Sequence, residues 1–253
     1  MQSLLAHLPA LVGGIVAGYL TSSLIESLFH HKVSDAPRRT LRYWSRYPRL
    51  FAIFIRANYS HHIIHHSRTF QGDYVTQFRN AEEKKALDEE LAARGAHGRI
   101  IRESQYAMRL HGSGAISFIA PFVPLATLSF VYGGWAFGLG FALLSCVSPW
   151  MNTYIHSYVH MPQERALRQA SAFMKPLLRT RYFKRLVAHH YLHHKYVACN
   201  FNLMLGGDWL RDRIADLWHR GERKERHRVL RHASELDIER MRALGLAVDI
   251  GAD

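Results

Sequence analysis

The histidines of this chain fall into clusters whose spacing fits metal binding. Neutral imidazole is the commonest protein ligand for metal ions, and residues three or four apart share one face of a helix. Two segments repeat the pattern His-x-x-His-His, and most of the 18 histidines lie in four clusters. The clustered residues are His30, His31, His61, His62, His65, His66, His156, His160, His189, His190, His193 and His194. The pattern therefore predicts a metal site assembled from helices.

The number of clustered histidines predicts more than one metal ion. A catalytic zinc ion uses three protein ligands and a structural zinc ion uses four. The clusters hold more imidazoles than one such ion can use, whereas two ions with open coordination positions would use them. Nitrogen-rich sites with open positions suit iron and oxygen chemistry, although affinity alone does not exclude zinc or copper.

Helical spacing separates candidate ligands from other histidines. The strongest candidates are His62, His65, His66, His190, His193 and His194. The pair His156 and His160 comes next, with the end of an interfacial helix as the alternative explanation. His61 and His189 extend each motif by one residue, which turns them off the shared face. We therefore predict that they support ligands or face solvent. Isolated histidines are interpreted as surface residues: His97, His111, His219, His227 and His232.

Two apolar segments predict a membrane-integral chain. Residues 4–29 form one apolar stretch, and no Lys or Arg precedes Lys32. Because a secretory signal needs a basic start, this stretch is predicted to be a retained transmembrane helix. As one helix, residues 114–151 would be about 55 Å long, which exceeds the ~30 Å hydrocarbon core. Gly133-Gly134 near the middle therefore predicts a transmembrane helical hairpin.

The basic residues predict on which side of the membrane the histidines lie. The formal net charge is +13, and Lys32 with the arginines from Arg38 to Arg49 follows the first apolar stretch. The hairpin tip carries no charge, whereas arginines lie beyond both ends of the hairpin. Basic flanks tend to stay in the cytoplasm. All four histidine clusters lie at these flanks, so we expect the metal site on the cytoplasmic side.

The whole pattern predicts an all-α, membrane-integral bundle of one domain. It comprises a transmembrane helix, a transmembrane hairpin and a cytoplasmic histidine-rich helical cap that binds metal. This domain is predicted to span residues 1–233, with a charged helical insertion at 79–110 that has a solvated face and no evident chemistry. Residues 234–253 are predicted to form a C-terminal surface tail that begins with a short helix.

The order of the motifs resembles the integral-membrane fatty acid hydroxylase and sterol desaturase superfamily. The chain supplies, in order, Glu26-x-x-x-His30, His62-x-x-His65-His66, His156-x-x-x-His160 and His190-x-x-His193-His194. Asn200-Phe201-Asn202 and Asp208-Trp209-Leu210 resemble the NFG…DxLFG ending of the family. The resemblance covers residues 10–215. Two HxxHH motifs with hairpin spacing between them are specific, whereas either motif alone is a weak signal.

The chain departs from the family pattern at several positions. Asp35 stands where the family often has a second histidine, five residues after the first. A carboxylate is a competent iron ligand, so Asp35 could substitute, with His31 as the alternative. The last motif continues as Leu210-Arg211-Asp212, unlike the family ending. The gaps 67–155 and 161–189 are also long, which indicates inserted surface structure.

The resemblance implies a di-iron centre and roles for residues near it. His30 joins the ligands, and Glu26 one turn earlier is expected to orient it; a packing role is the alternative for Glu26. Asn200 and Asp208 could hydrogen-bond the imidazoles that bind the metal. For Asp208, a helix N-cap is an equal alternative.

The activity that the resemblance implies is O2-dependent hydroxylation of an acyl chain of a membrane lipid. An unactivated C–H bond has no proton that a side-chain base could take, so the metal must supply the oxidant. Desaturation by the same superfamily is the near alternative. Electrons must come from a separate donor protein of ferredoxin or cytochrome b5 type, because the chain has no flavin, haem or iron–sulfur motif. No nucleic-acid motif competes with this interpretation.

Two other classes of protein make different predictions. A bis-histidine haem protein that carries electrons would place histidine pairs deep within transmembrane helices. A metal transporter would place polar residues at the middle of the bilayer, where the hairpin has essentially none.

Overall fold

The computed structural model of the chain is helical. It describes residues 5–69, 78–110, 113–197, 203–218 and 234–247. Every regular element within these ranges is a helix, which confirms the predicted all-α class.

The helices follow one another with short connections. The first part of the chain contains α1 (Leu8–Phe29), α2 (Arg38–Trp44), α3 (Ala52–Asn58), α4 (His66–Arg68), α5 (Ala81–Ala93), α6 (Ala96–Glu103) and α7 (Ser113–Ile119). The second part contains α8 (Phe122–Ser145), α9 (Val147–Trp150), α10 (His156–Val159), α11 (Gln163–Gln169), α12 (Met174–Leu178), α13 (Arg181–Tyr196), α14 (Gly207–Trp218) and α15 (Glu235–Ala243). Three π-helices interrupt this series, at His30–Ser34, Tyr59–His65 and Met151–Ile155.

Two helical segments, Leu8–Ser34 and Phe122–Val159, are long and apolar enough to cross a membrane. The second is interrupted at Gly134, whose φ of 79° is accessible mainly to glycine. There the chain folds back, since the Cα atom of Phe130 is 2.8 Å from the position of a Cβ atom on Gly138. This reversal lies at the predicted glycine pair.

The first span packs closely against the returning arm of α8. A Cβ atom on Gly14 would lie 2.0 Å from the carbonyl oxygen of Phe137, and one on Gly18 would lie 2.7 Å from that of Phe141. Small residues let the backbones of membrane helices approach each other. Because the contacts advance in the same direction along both helices, the two segments run parallel. Their C-terminal ends, which carry His30 and His156, therefore lie at the same end of the bundle.

The main hydrophobic core lies around α13. Phe183 and Leu186 of α13 are buried there with Ile155 and Met241. Met241 belongs to α15, so the helix predicted at the surface buries one face in this core. Asp237 of α15 is also fully buried, and it forms an ion pair with Lys195.

The charged insertion packs on a histidine-bearing segment. Leu87 and Leu91 of α5 and Ile101 of α6 form a buried cluster with Ile64 of the π-helix Tyr59–His65. The solvated face predicted for residues 79–110 is thus only one side of the insertion. Its other side supports the segment that carries the first HxxHH motif.

Candidate metal centre

Eight side chains form two groups that could each hold a metal ion. Site A consists of His65, His160, His190 and His194, and site B consists of Asp35, His61, His66 and His193. Within each group the potential ligand atoms all lie within 4.8 Å of one another. The groups adjoin, since the rings of His66 and His194 stack with their centroids 4.3 Å apart.

In site A, three imidazole nitrogens converge on one point. The Nε2 atom of His156 lies 3.0 Å from that of His190 and 3.2 Å from that of His160. The Nε2 atoms of His190 and His160 are also 3.0 Å apart. Two nitrogens that each lie about 2.1 Å from one ion are themselves about 3.0–3.4 Å apart. The spacing therefore fits one ion, and it adds His156 to the potential ligands of site A.

Site B shows the same convergence around His66. The Nε2 atom of His66 lies 3.1 Å from that of His61 and 3.2 Å from that of His193. The Asp35 carboxylate faces the three rings, with its oxygens 3.6 Å from Nε2 of His193 and 3.7 Å from Nε2 of His66. Site B thus offers three nitrogens and one carboxylate.

Both histidine doublets are divided between the two sites. His65 belongs to site A and His66 to site B, while His194 belongs to site A and His193 to site B. Adjacent residues on a helix point about 100° apart, so a doublet can reach two ions only where the ions lie side by side. The two HxxHH segments therefore each contribute to both sites, and the two sites form one centre.

The π-helix Tyr59–His65 decides whether His61 or His62 faces the centre. A π-helix pairs residues five apart, and this brings His61 beside His66. His62, which α-helical spacing predicts as a ligand, lies outside both groups; its side chain is 40% exposed and its Nδ1 atom is 3.0 Å from Oδ1 of Asp35. His61, predicted to support ligands or face solvent, is buried inside site B. The HxxHH pattern indicates His62, whereas the only sign of His61 in the sequence is its position next to that motif.

The other described residues of the predicted site lie outside the two groups. His30 is outside both groups but packs on site B, its ring centroid 4.9 Å from that of His61 and 5.5 Å from that of His193. His31 and His189 belong to neither group. Asn200 lies outside the described residues.

Glu26 and Asp208, the two carboxylates predicted to act near the metal ligands, lie where α1 contacts the residues that follow α13. Glu26 is fully buried, and its carboxylate accepts hydrogen bonds from the backbone N–H groups of Leu203 at 3.0 Å and Met204 at 2.9 Å. Asp208, in the first turn of α14, accepts one from the Ser27 hydroxyl at 2.6 Å. Neither belongs to the two groups. Their contacts hold residues 203–208 against the end of the first span.

Burial keeps the imidazoles of the centre in the neutral form. Desolvation lowers the pKa of His66 to about 3. It also holds the pKa values of other centre residues well below 6.5, namely those of His61, His65, His160, His190 and His194. A metal binds the neutral imidazole, so the protein environment prepares these rings as ligands.

The pKa values of Asp35 and His62 are raised, whereas those of the buried imidazoles just described are lowered. Burial raises the pKa of the Asp35 carboxyl, while its hydrogen bond with His62 opposes this rise. The same hydrogen bond raises the pKa of His62. His62 can therefore carry a positive charge beside the carboxylate that faces site B.

The residues of the centre fit a bound metal. The Nε2 atom of His65 is buried without a hydrogen-bond partner, while its Nδ1 atom lies 3.3 Å from the Thr69 hydroxyl. A buried polar atom without a partner is costly, and coordination of an ion would satisfy it. Imidazole nitrogens with one carboxylate suit a transition metal.

The described residues thus establish two buried histidine groups that could hold metal ions, at one end of two helical segments apolar enough to cross a membrane. No protein-family model, curated protein or solved structure matches the chain. What the centre does must therefore follow from its own residues.

Proposed function

We propose that the chain is a membrane-embedded di-iron oxygenase that hydroxylates an acyl chain of a membrane lipid. The observation that carries this proposal is the division of both histidine doublets between two adjoining sites. Such a division serves a pair of ions that act together. The order of the motifs along the chain, with its resemblance to membrane hydroxylases and desaturases, supports the same function.

Each site would hold one iron ion through residues from several parts of the chain. Site A would use His65, His156, His160, His190 and His194, and site B would use Asp35, His61, His66 and His193. Bound iron would supply the activation of O2 that an unactivated C–H bond requires. The Thr69 hydroxyl beside Nδ1 of His65 helps to fix that ring, as partners of metal ligands generally do.

The chain itself supplies a proton path and a dry environment. His62 is 40% exposed and its Nδ1 atom hydrogen-bonds the Asp35 carboxylate, so it can pass a proton from solvent toward site B. Ile64, Ile155 and Val159, which directly precede ligand histidines in the sequence, are almost fully buried. These side chains exclude water from the centre, which limits side reactions.

The geometry favours metal ions over haem. A haem iron is bound by imidazoles on opposite faces of a porphyrin ring, whereas His156, His160 and His190 bring three Nε2 atoms within 3.2 Å of each other. Desaturation would use the same centre and differs only in how the substrate is placed. Electrons would come from a separate donor protein, and the basic residues from Lys32 to Arg49 support a cytoplasmic centre.

Metal content and lipid products test this function. We expect the purified chain to contain two iron ions by elemental analysis. Lipid extracts of expressing cells should contain an acyl product that has gained one oxygen atom, and labelled O2 should supply that atom. The variant His190→Ala should lose both properties, whereas His189→Ala, the neighbouring residue outside both groups, should keep them. A haem absorption band, or two metals without any oxidised lipid, would contradict the proposal.

A further inference from the structure

A cavity of about 110 Å³ borders the metal centre. His30, His61 and His156 line it together with apolar side chains from four helices. The apolar residues include Phe29 at the end of α1, Ile53 of α3, Ile100 and Ile101 of α6, and Phe118 of α7. Hydrocarbon can therefore reach the histidines from this side.

Among the described residues that line the cavity, the charged ones are basic. These are Arg56 and Arg109, and none of the described lining residues is a carboxylate. Arg56 also lines an adjacent surface groove together with Arg94 and His97, and Ile101 borders both spaces. Arg56 thus stands at the junction between an apolar cavity and a basic groove. Its guanidinium is partly buried, which lowers its pKa, and its Nη1 atom lies 3.4 Å from Nδ1 of His97.

The wall of the cavity includes an unusual turn of the insertion. Gln105, Tyr106 and Ala107 have positive φ angles of 50°, 56° and 73° although none is glycine. Such conformations persist only where the surroundings hold them. Here the Tyr106 hydroxyl donates to Asp88 at 2.9 Å, and the turn leads directly into Met108, which is fully buried. The backbone of Ala107 then faces the ring of His156.

We propose that this cavity and groove bind one amphiphile with an anionic head, a carboxylate or a phosphate. The head contacts Arg56, and the hydrocarbon chain lies in the cavity with its reacting carbon toward His30, His61 and His156. This inference rests on the proposed function, which it deepens by naming the substrate class. It also gives the insertion a role, because α6 and the turn after it form one wall of the binding site.

Binding can be measured separately from oxidation. The full-length protein as purified, in zwitterionic nanodiscs and without O2, is titrated with radiolabelled dodecanoate, dodecyl phosphate and dodecanol, and empty nanodiscs are subtracted. We expect at least one anionic probe to bind about tenfold more tightly than dodecanol, since hydrogen bonds to charged groups are strong. The better of the two anions identifies the head.

Matched variants assign the two parts of the site. Arg56→Gln should abolish the preference for the anion, whereas Arg99→Gln, an exposed arginine of α6 that does not line the cavity, should keep it. Ile53→Trp at the partly exposed rim should weaken all three probes. An unchanged preference for the anion in Arg56→Gln would overturn the assignment of Arg56 to the head. Unchanged dodecanol binding in Ile53→Trp would overturn the assignment of the cavity to the hydrocarbon chain.

Failure of this inference is distinguishable from failure of the proposed function. If the probes bind without charge selectivity while iron and oxidised lipid are both found, the head assignment alone is wrong. If selective binding is found but no lipid is oxidised, the oxygenase is wrong and the amphiphile site stands.

Discussion

The two HxxHH segments share one sequence pattern but differ in local structure. The second lies on α13, a regular helix, and there the first histidine of the motif, His190, belongs to site A. The first lies on the π-helix Tyr59–His65 and the start of α4, and its first histidine, His62, lies outside both groups, whereas His61 belongs to site B. The shared motif therefore does not settle which histidines belong to the centre, and the type of helix decides whether the first histidine of the motif or the residue before it does.

The two segments are also supported differently. α13 is 16 residues long, begins with a hydrogen bond from the Phe183 N–H to the Thr180 hydroxyl, and buries one face in the main core. The π-helix follows the short α3, and Asn58 at their junction donates a hydrogen bond to the Ser34 carbonyl at 2.9 Å. The first segment is thus positioned by a neighbouring π-helix and by the insertion, while the second is positioned by a long, capped helix that packs in the main core.

The largest effect should come from the first histidine of the second motif. His190→Ala removes a nitrogen that lies 3.0 Å from two other ligand nitrogens. We expect iron content to fall by about half and product formation to fall more than about 100-fold, because even partners that only orient a ligand are worth 10–100-fold. Elemental analysis and lipid mass spectrometry measure this. Full iron content in this variant would remove His190 from site A.

The residues that precede the two motifs should differ in their effect on product formation, with a large effect for His61 and a small one for His189. His61→Ala should lose the ion of site B and, like any loss of a direct ligand, reduce product more than about 100-fold. His189→Ala, at the corresponding position of α13, should change product less than about twofold, because His189 belongs to neither site. Equal effects of the two substitutions would contradict the placement of His61 in site B and of His189 in neither site.

His62 should behave as a partner of a ligand. His62→Ala removes the hydrogen bond to Asp35, and we expect both ions to remain while product falls about 10–100-fold. His62→Gln, which can still donate to Asp35 but cannot pass a proton, should also keep both ions and should not recover full product formation. Loss of one ion in His62→Ala would return His62 to the ligands.

Acid should destabilise the metal-free protein through both segments. The pKa values of the buried histidines are depressed, to about 3 for His66, so between this value and 6.5 the unfolded chain binds more protons than the folded chain. Stability must therefore fall as pH drops below 6.5, with a slope of about 1.4 kcal/mol per pH unit for each such histidine. Chemical unfolding of the chelated protein at a series of pH values measures this. A flat profile would mean that the rings are exposed to solvent.

The smallest effect should come from the contact that holds the end of α13. Asp237 pairs with Lys195 and accepts a hydrogen bond from Tyr196 at 3.1 Å. Asp237→Asn should lower the free energy of unfolding by about 1–3 kcal/mol, the cost of weakening a buried hydrogen-bonded charge, and leave the iron content unchanged. Glu239→Gln, a change at an exposed position of the same helix, is the control.

The sequence is sufficient to predict the helical class and to predict which segments come together at the centre. Apolar length and the Gly133-Gly134 pair predict the spans and the reversal, because these depend on local composition. The doublets predict that a shared centre exists, because adjacent histidines can serve adjacent ions. The exchange of His62 for His61 could not be predicted, since the extra residue of a π-turn is tolerated through tertiary contacts such as that of Asn58 and leaves no mark in the local pattern.

The close approach of α1 and α8 has a consequence for the centre itself. Gly14 lies sixteen residues before His30, about 24 Å along a helix, and it touches the backbone of Phe137 with no room for a methyl group. A larger residue there would have to wedge the two spans apart. Since one span leads to His30 and the other to His156, the spacing of the imidazoles at the ends of the two spans depends on the hydrogen atom that stands in place of a side chain at Gly14.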